Sequence, residues 1–261
     1  MADHLPDRFE ERTNPVDLFA FPPIAALVDL AYAGLMTLTA LIHPLVGASA
    51  AAVAIVLVTV LVRAALIPAG VAQAKAEQTR ARLAPRLRDL RHRHRKDPER
   101  LHRETMHLYR DENASPFAGC LPILIQAPVV GVLYAVFLHP TIGGHPNELL
   151  TETLIGVPLG AGLAGSIAAG TADAASFAVL GGLVLVIAMV GELTRRLLRV
   201  PPPPASDGLR VPPVPAGLLG VLQFATAAVA IFVPLAAGLY LLVTVSWTLI
   251  QRLILRRAYP Q

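Results

Sequence analysis

Residues 48–69 read ASAAAVAIVLVTVLVRAALIPA, a run in which Arg63 is the one formal charge. At 1.5 Å per residue it is long enough to cross the ~30 Å of hydrocarbon in a bilayer. An amphipathic helix of a soluble domain would carry a polar face, and this block has none. Two further blocks behave the same way. Ser115–Leu138 carries no charge, and Phe177–Leu198 is apolar up to Glu192 and closes on Arg195 and Arg196. Leu218–Leu255 is too long for one crossing and contains Pro234, which cannot continue a helix unbroken. It reads as a helical hairpin, Leu218–Val233 followed by Leu235–Gln251. The fold expected is an all-α integral membrane protein with five transmembrane helices.

The totals agree with that class. Hydrophobic residues are 54% of the 261 and charged residues 15%, against about 45–50% and a quarter in ordinary soluble domains. Such a composition excludes a disordered chain. The single cysteine, Cys120, excludes an internal disulfide framework.

Two segments are ambiguous by hydropathy. Ile24–Leu45 is apolar enough to cross but carries Asp29, His43 and flanking prolines. It reads as an outer interfacial helix, with a sixth span as the alternative. Leu149–Gly170 is rich in glycine and reads as an outer loop with a weakly helical piece.

Basic residues accumulate on the cytoplasmic side of a membrane. Residues 71–114 hold twelve Lys or Arg, residues 195–217 hold four, and the tail from Arg252 holds three. Residues 139–176 hold none, and residues 1–20 have two Arg against five acids. An outer N-terminus and a cytoplasmic C-terminus place every basic segment in the cytoplasm. The first 20 residues lack the basic and apolar regions of a secretory signal, so the N-terminus is expected to cross as a short tail.

The expected order begins with an outer tail and interfacial helix (1–47), a first span (48–70) and a basic cytoplasmic hairpin (71–114). A second span (115–138), an outer loop (139–176) and a third span (177–198) come next. A Pro-rich cytoplasmic linker (199–217) leads to the fourth and fifth spans (218–251) and a short basic tail (252–261).

Within 71–114, Gln73–Lys96 reads as one helix with Leu83, Leu87 and Leu90 along a face. Asp97-Pro98-Glu99 supplies an N-cap, a proline at the first helical position and an acid in the first turn of a second helix, Pro98–Asp111. The basic face, with Arg86, Arg91, Arg93, Arg95 and Lys96, suits anionic lipid headgroups. It equally suits ribosomal RNA or an acidic protein. Sequence-specific reading of DNA is not expected, because Tyr109 is the only aromatic residue there.

Arg63 lies about eight residues from the cytoplasmic end of its span, ~12 Å deep. Charges at such depth face a bundle interior or a watery cavity, or else snorkel to the headgroups. Gln126 and Tyr134, eight residues apart, share one face of the second span. Gln223, Thr244 and Ser246 offer polar groups on the last hairpin. Glu192 either pairs with Arg63 or marks the inner end of its helix beside Arg195 and Arg196. Together these residues suggest a hydrated groove open to the cytoplasm. No G-x-S-x-G, H-E-x-x-H or G-x-x-x-x-G-K-[ST] is present. No enzymatic activity, cofactor or metal is therefore expected, and His92 and His94 point to different helix faces.

Three stretches resemble the YidC-type membrane protein insertases. They are AIVLVTVLVRAALIPAGVAQ (54–73), NASPFAGCLPILIQAPVVGVLY (113–134) and VPLAAGLYLLVTVSWTLIQ (233–251). The second is the most specific, matching N-P-x-x-G-C-L-P-x-L-I-Q-x-P…L-Y. The resemblance implies a five-helix core whose hydrophilic groove opens to cytoplasm and lipid. It implies that Arg63, Gln126 and Tyr134 line that groove, and extends the same role to Glu192 on a weaker match. The family's Tyr-Trp and Asn in the last span are replaced near Leu241, Leu242 and Val245, leaving Trp247 as the aromatic candidate. The chain resembles members without a large outer β domain or a long basic C-terminal tail. Its implied partners are nascent membrane proteins and the lipid bilayer, with the ribosome and the general secretion channel as further possibilities. Residue chemistry alone also admits a solute transporter or a passive ribosome-tethering anchor. A transporter predicts inverted repeats, and none is visible.

Overall fold

Prolines and glycines set the breaks between helices. The computed structural model describes residues 21–112, 114, 121–198 and 224–258, with 121–126 and 129 described by their backbone alone. The expected N-terminal tail, the first six residues of the second span with Cys120, all of the Pro-rich linker, Gln223 and the start of the fourth span lie outside the described residues. Helix α1 is Pro22–Val46, with prolines in its first turn. It ends at Gly47, whose φ of 60° suits a residue without a Cβ and whose N–H donates to the His43 carbonyl. A short 3₁₀ turn, Gly47–Ser49, leads into α2, Ala50–Ala65. Small buried residues (Ala50, Ala51, Ala52 and Ala54) let neighbouring backbones approach α2 closely.

Leu66 alone separates α2 from α3, Ile67–Arg93. Pro68 lacks the N–H that would bond the preceding turn, so the ladder breaks there and resumes with the Gly70 N–H on the Leu66 carbonyl at 3.1 Å. Helix α3 therefore starts before the expected Gln73 and stops three residues short of Lys96. Residues His94, Arg95 and Lys96 form the turn into α4, Pro98–Asp111. The Asp97 carboxylate accepts from the Arg100 N–H at 2.9 Å, capping α4.

Helix α5, Leu121–Leu138, has no charged residue. The next segment, 139–162, corrects the all-α expectation, because it contains two small antiparallel hairpins. In the first, β1 (Thr141–Ile142) pairs with β2 (His145–Pro146). In the second, β3 (Thr153–Leu154) pairs with β4 (Val157–Pro158). Strands this short carry no alternating pattern to read in the sequence. The segment is tied down by Asn147, which is buried. Its side-chain N–H₂ donates to the Val136 carbonyl at 2.7 Å and the His139 carbonyl at 2.9 Å, satisfying the C-terminal end of α5.

Helix α6 is Leu163–Ala168, the short helical piece of this loop. A continuous helix, Ala174–Leu197, comes next. It consists of α7 (Ala174–Ser176), a π turn (Phe177–Gly181) and α8 (Gly182–Leu197). Helix α9, Ala225–Phe232, stops at extended Val233, and α10, Leu235–Ala258, begins after Pro234. Among the described residues, three helical stretches are long and apolar enough to cross a membrane: Pro22–Ala65, Ala174–Leu197 and Leu235–Ala258.

The loop 139–162 joins four elements at one end of the bundle. Its Glu148 N–H donates to the Tyr32 hydroxyl of α1 at 3.2 Å. Strand β3 packs on the Gly47–Ser49 turn. Leu235 and Ala236 donate their N–H groups to the Ala161 and Leu159 carbonyls at 2.8 and 2.9 Å. Gly162 sits where an added Cβ would lie 3.0 Å from the Val233 carbonyl oxygen. The fully buried side chains Ile55, Phe137, Leu149, Leu159 and Leu235 gather at this loop end. Toward the α3–α4 end the packing loosens, and every residue from Leu241 to Thr248 is only half-buried.

Candidate functional site

Arg63 occupies the last turn of α2, just before the break that Pro68 imposes. Its half-buried guanidinium lies beside the hydroxyl of Tyr240, in the second turn of α10. Tyr240 is 5% exposed, and its ring packs on Phe137 of α5 with centroids 6.1 Å apart and planes tilted by 46°. Tyr134, one turn earlier on α5 and half-buried, is close enough to feel the Tyr240 phenol electrostatically. Three helices thus bring one cation and two phenols together where the tight core ends. Among the described residues, Arg63 has no carboxylate in ion-pair contact.

Below Tyr240, Thr244, Trp247 and Gln251 lie on the same face of α10, at spacings of four, three and four residues. The Thr244 hydroxyl is buried without a hydrogen-bond partner. The Trp247 indole N–H donates to the Gln251 side-chain oxygen at 3.1 Å. Gln251 in turn lies against Gly70 of α3, where any Cβ would overlap its amide. A polar and aromatic stripe on α10 therefore runs beside α2 and α3, from Arg63 to Gly70.

The structure places the sequence-derived candidates unevenly. Arg63 and Tyr134 share the Tyr240 cluster. The backbone of Gln126 lies two turns from Tyr134 on α5, and its side chain is outside the described residues. Trp247 is nearly two turns from Tyr240 and bonds Gln251, so the aromatic residue that meets Arg63 is Tyr240. Glu192 does not pair with Arg63. It is clamped by Arg195 at 2.7 Å and Arg196 at 2.6 Å on its own helix, because the i+3 and i+4 positions are nearest to it. Tyr240 escaped the sequence reading, although its spacing from Thr244 and Trp247 would have put it on their face.

At the other end, α3 and α4 form an antiparallel hairpin. Glu112 joins them by pairing with Arg82 at 2.8 Å and Arg86 at 2.5 Å. A cavity of about 270 Å³ between the helices is lined by Arg86, Asp89, Arg93, Glu104, His107 and Asp111, with Leu90 and Leu108 at its floor. Arg91, Arg93, Arg95 and Lys96 are exposed and form no ion pair among the described residues. They leave the hairpin tip strongly basic.

The bundle with a polar cluster beneath a packed cap is that of a multi-pass membrane protein. The family model described as 60Kd inner membrane protein matches residues 41–261. The chain belongs to this family, that of the YidC and Oxa1 proteins. Among its relatives is the "Membrane protein insertase YidC" of Clostridium perfringens, 38% identical over 85 residues. That stretch is 33% of this chain and 36% of the relative. The protein of the same name from Burkholderia cenocepacia is 42% identical over 85 residues, 33% of this chain and 15% of that one. The matched stretches thus span well under half the length of these relatives.

Proposed function

We propose that this chain is a membrane protein insertase, moving short polar segments and transmembrane helices of nascent proteins into the bilayer. Family membership and the names of its relatives support this reading. The observation that carries it is Arg63, a guanidinium inside the bundle set beside a phenol and left without a carboxylate among the described residues.

In this reading five helices cross: 48–70, 115–138, 177–198 and the two arms of 218–251. The 139–162 loop is outside and the α3–α4 hairpin is in the cytoplasm. Helix α1 lies along the outer surface. Both its middle, through Tyr32, and the turn at its end touch the same loop, as a helix lying across the bundle end would. The packed loop end closes the outer side. The loosened packing around Leu241–Thr248 opens a groove toward the cytoplasm, lined by Arg63, Tyr134, Tyr240 and Thr244. Gln126, eight residues before Tyr134, extends that lining by its helical spacing.

The work is physical. A polar segment entering hydrocarbon leaves backbone groups unsatisfied, at several kcal/mol each. A wet groove reaching partway across shortens that path. Arg63 attracts acidic residues of the segment more strongly than bulk water would allow. The substrate's apolar helix then partitions into lipid, which drives the step without nucleotide hydrolysis or cofactor. Arg86, Arg91, Arg93, Arg95 and Lys96 give the hairpin a surface for the ribosome or for anionic lipid, and the general secretion channel is a further candidate partner.

The test is depletion of the endogenous insertase and complementation with Arg63→Ala and Arg63→Lys. Insertion of single-span substrates with acidic outer tails should fall most for alanine and recover in part for lysine. Full activity of Arg63→Ala on those substrates would contradict the assigned role.

A further inference from the structure

The two hairpins of the 139–162 loop solve the same geometric problem differently. Each turns in two residues with positive φ. The first uses Gly143 and Gly144 (57° and 80°), the second Ile155 and Gly156 (52° and 80°). Such turns favour glycine, asparagine or aspartate, because a left-handed backbone crowds a Cβ. A β-branched residue there is an outlier. Among the described residues nothing covers it: Ile155 is 75% exposed, while Val157 and Leu159 beside it are buried in the core.

The surroundings of Ile155 are apolar too. Residues 153–172 carry no Asp, Glu, Lys or Arg. Ile167, on α6 within that run, is more than half exposed. Strand β3 packs on the Gly47–Ser49 turn, immediately after exposed Leu45 and Val46 at the end of α1. By contrast, the first hairpin carries His145 at its turn and has Asp29 beside Gly143.

We propose that the Ile155 tip and α6 form a shallow wedge in the outer leaflet, seated at the boundary between headgroups and acyl chains. The occupant of this surface is lipid, because an uncharged run continuous with the apolar surface of α1 belongs to a chain that already lies in a bilayer. Transfer of the Ile155 side chain into hydrocarbon offsets the strain of its backbone. The immersion is shallow because a two-residue turn keeps its strand hydrogen bonds internal but leaves the tip amides in need of headgroups or water. The wedge fixes the depth of the loop that closes the bundle. It rests on the outer placement of this loop in the proposed topology but not on insertase activity, since the test uses no substrate.

The experiment places one environment-sensitive fluorophore (NBD) on the full chain in phosphatidylcholine–phosphatidylglycerol liposomes. Cys120→Ser removes the native thiol, and Ile155→Cys, Ile167→Cys and His145→Cys are labelled in turn. Labels at 155 and 167 should emit blue-shifted from the label at 145 and be quenched several-fold more by doxyl groups on shallow acyl-chain carbons. Should Ile155→Cys fail to accumulate, the 167 label carries the comparison. Emission at 155 and 167 as red as at 145, with equal quenching by aqueous iodide, would overturn the wedge.

Discussion

The guanidinium of Arg63 on α2 lies beside the hydroxyl of Tyr240 on α10, so among the described residues the cation of the bundle meets a phenol rather than an acid. A carboxylate partner would compete with an acidic substrate. A phenol orients the charge and leaves it available.

Tyr240→Phe tests that division of labour. It removes the hydroxyl and keeps the ring on Phe137, so the protein should accumulate normally while insertion of acidic-tailed substrates falls several-fold. Tyr240→Ala should also cost stability, about 3–5 kcal/mol for loss of a buried aromatic ring. Thermal unfolding in detergent beside an in vitro insertion assay separates the two effects.

Gly238 lies where an added Cβ would come within 2.5 Å of Leu183 Cδ2 on α8. Gly238→Ala should therefore overpack the contact of α8 with α10 and destabilise by about 1–3 kcal/mol. The combination Gly238→Ala with Leu183→Ala should destabilise by less than the sum of the two single changes in the same unfolding measurement.

The chain has one tryptophan, Trp247, on the stripe below Tyr240. If that stripe lines a wet groove, its emission in liposomes is red-shifted and quenched by acrylamide, with little quenching by brominated acyl chains. The reverse pattern would mean that the stripe is dry.

Asp173 precedes the Ala174–Leu197 helix and accepts from the Ser176 N–H at 2.8 Å. That bond to the backbone holds its carboxyl below the usual value. A depressed folded pKa means that the cap stabilises fully above the unfolded value of about 4 and is lost as pH falls through the folded one. Amide exchange at Ser176 and Phe177, corrected for its intrinsic pH dependence, should lose protection in acid below that range. In Asp173→Ala, protection should already be low at neutral pH and insensitive to acid.

What the sequence makes legible here is local. A missing N–H makes Pro234 readable as a break, although Pro44, Pro85 and Pro128 run on inside helices, and the Asp97-Pro98-Glu99 signature marks the start of α4 by its own chemistry. Arg63 stands out because charge is rare in such a block. The partner of Arg63 is not local. Tyr240 lies 177 residues away, and only the packing of α2 against α10 brings the two together. Glu192 shows the opposite failure, since its nearest cations are on its own turn and an inter-helix pair has to compete with them. The two hairpins escape because two-residue strands have no period, although Gly143-Gly144 is a readable turn.

The most direct measurement is site-specific photocrosslinking of a stalled nascent chain with an acidic outer segment, with the crosslinker at Tyr134 in the Arg63 cluster and at lipid-facing Leu185 as control. A substrate held by Arg63 gives adducts at 134 that weaken when the segment's acids are replaced by asparagine or glutamine, or when Arg63 becomes alanine. Equal adducts at 134 and 185, indifferent to both changes, would contradict that role.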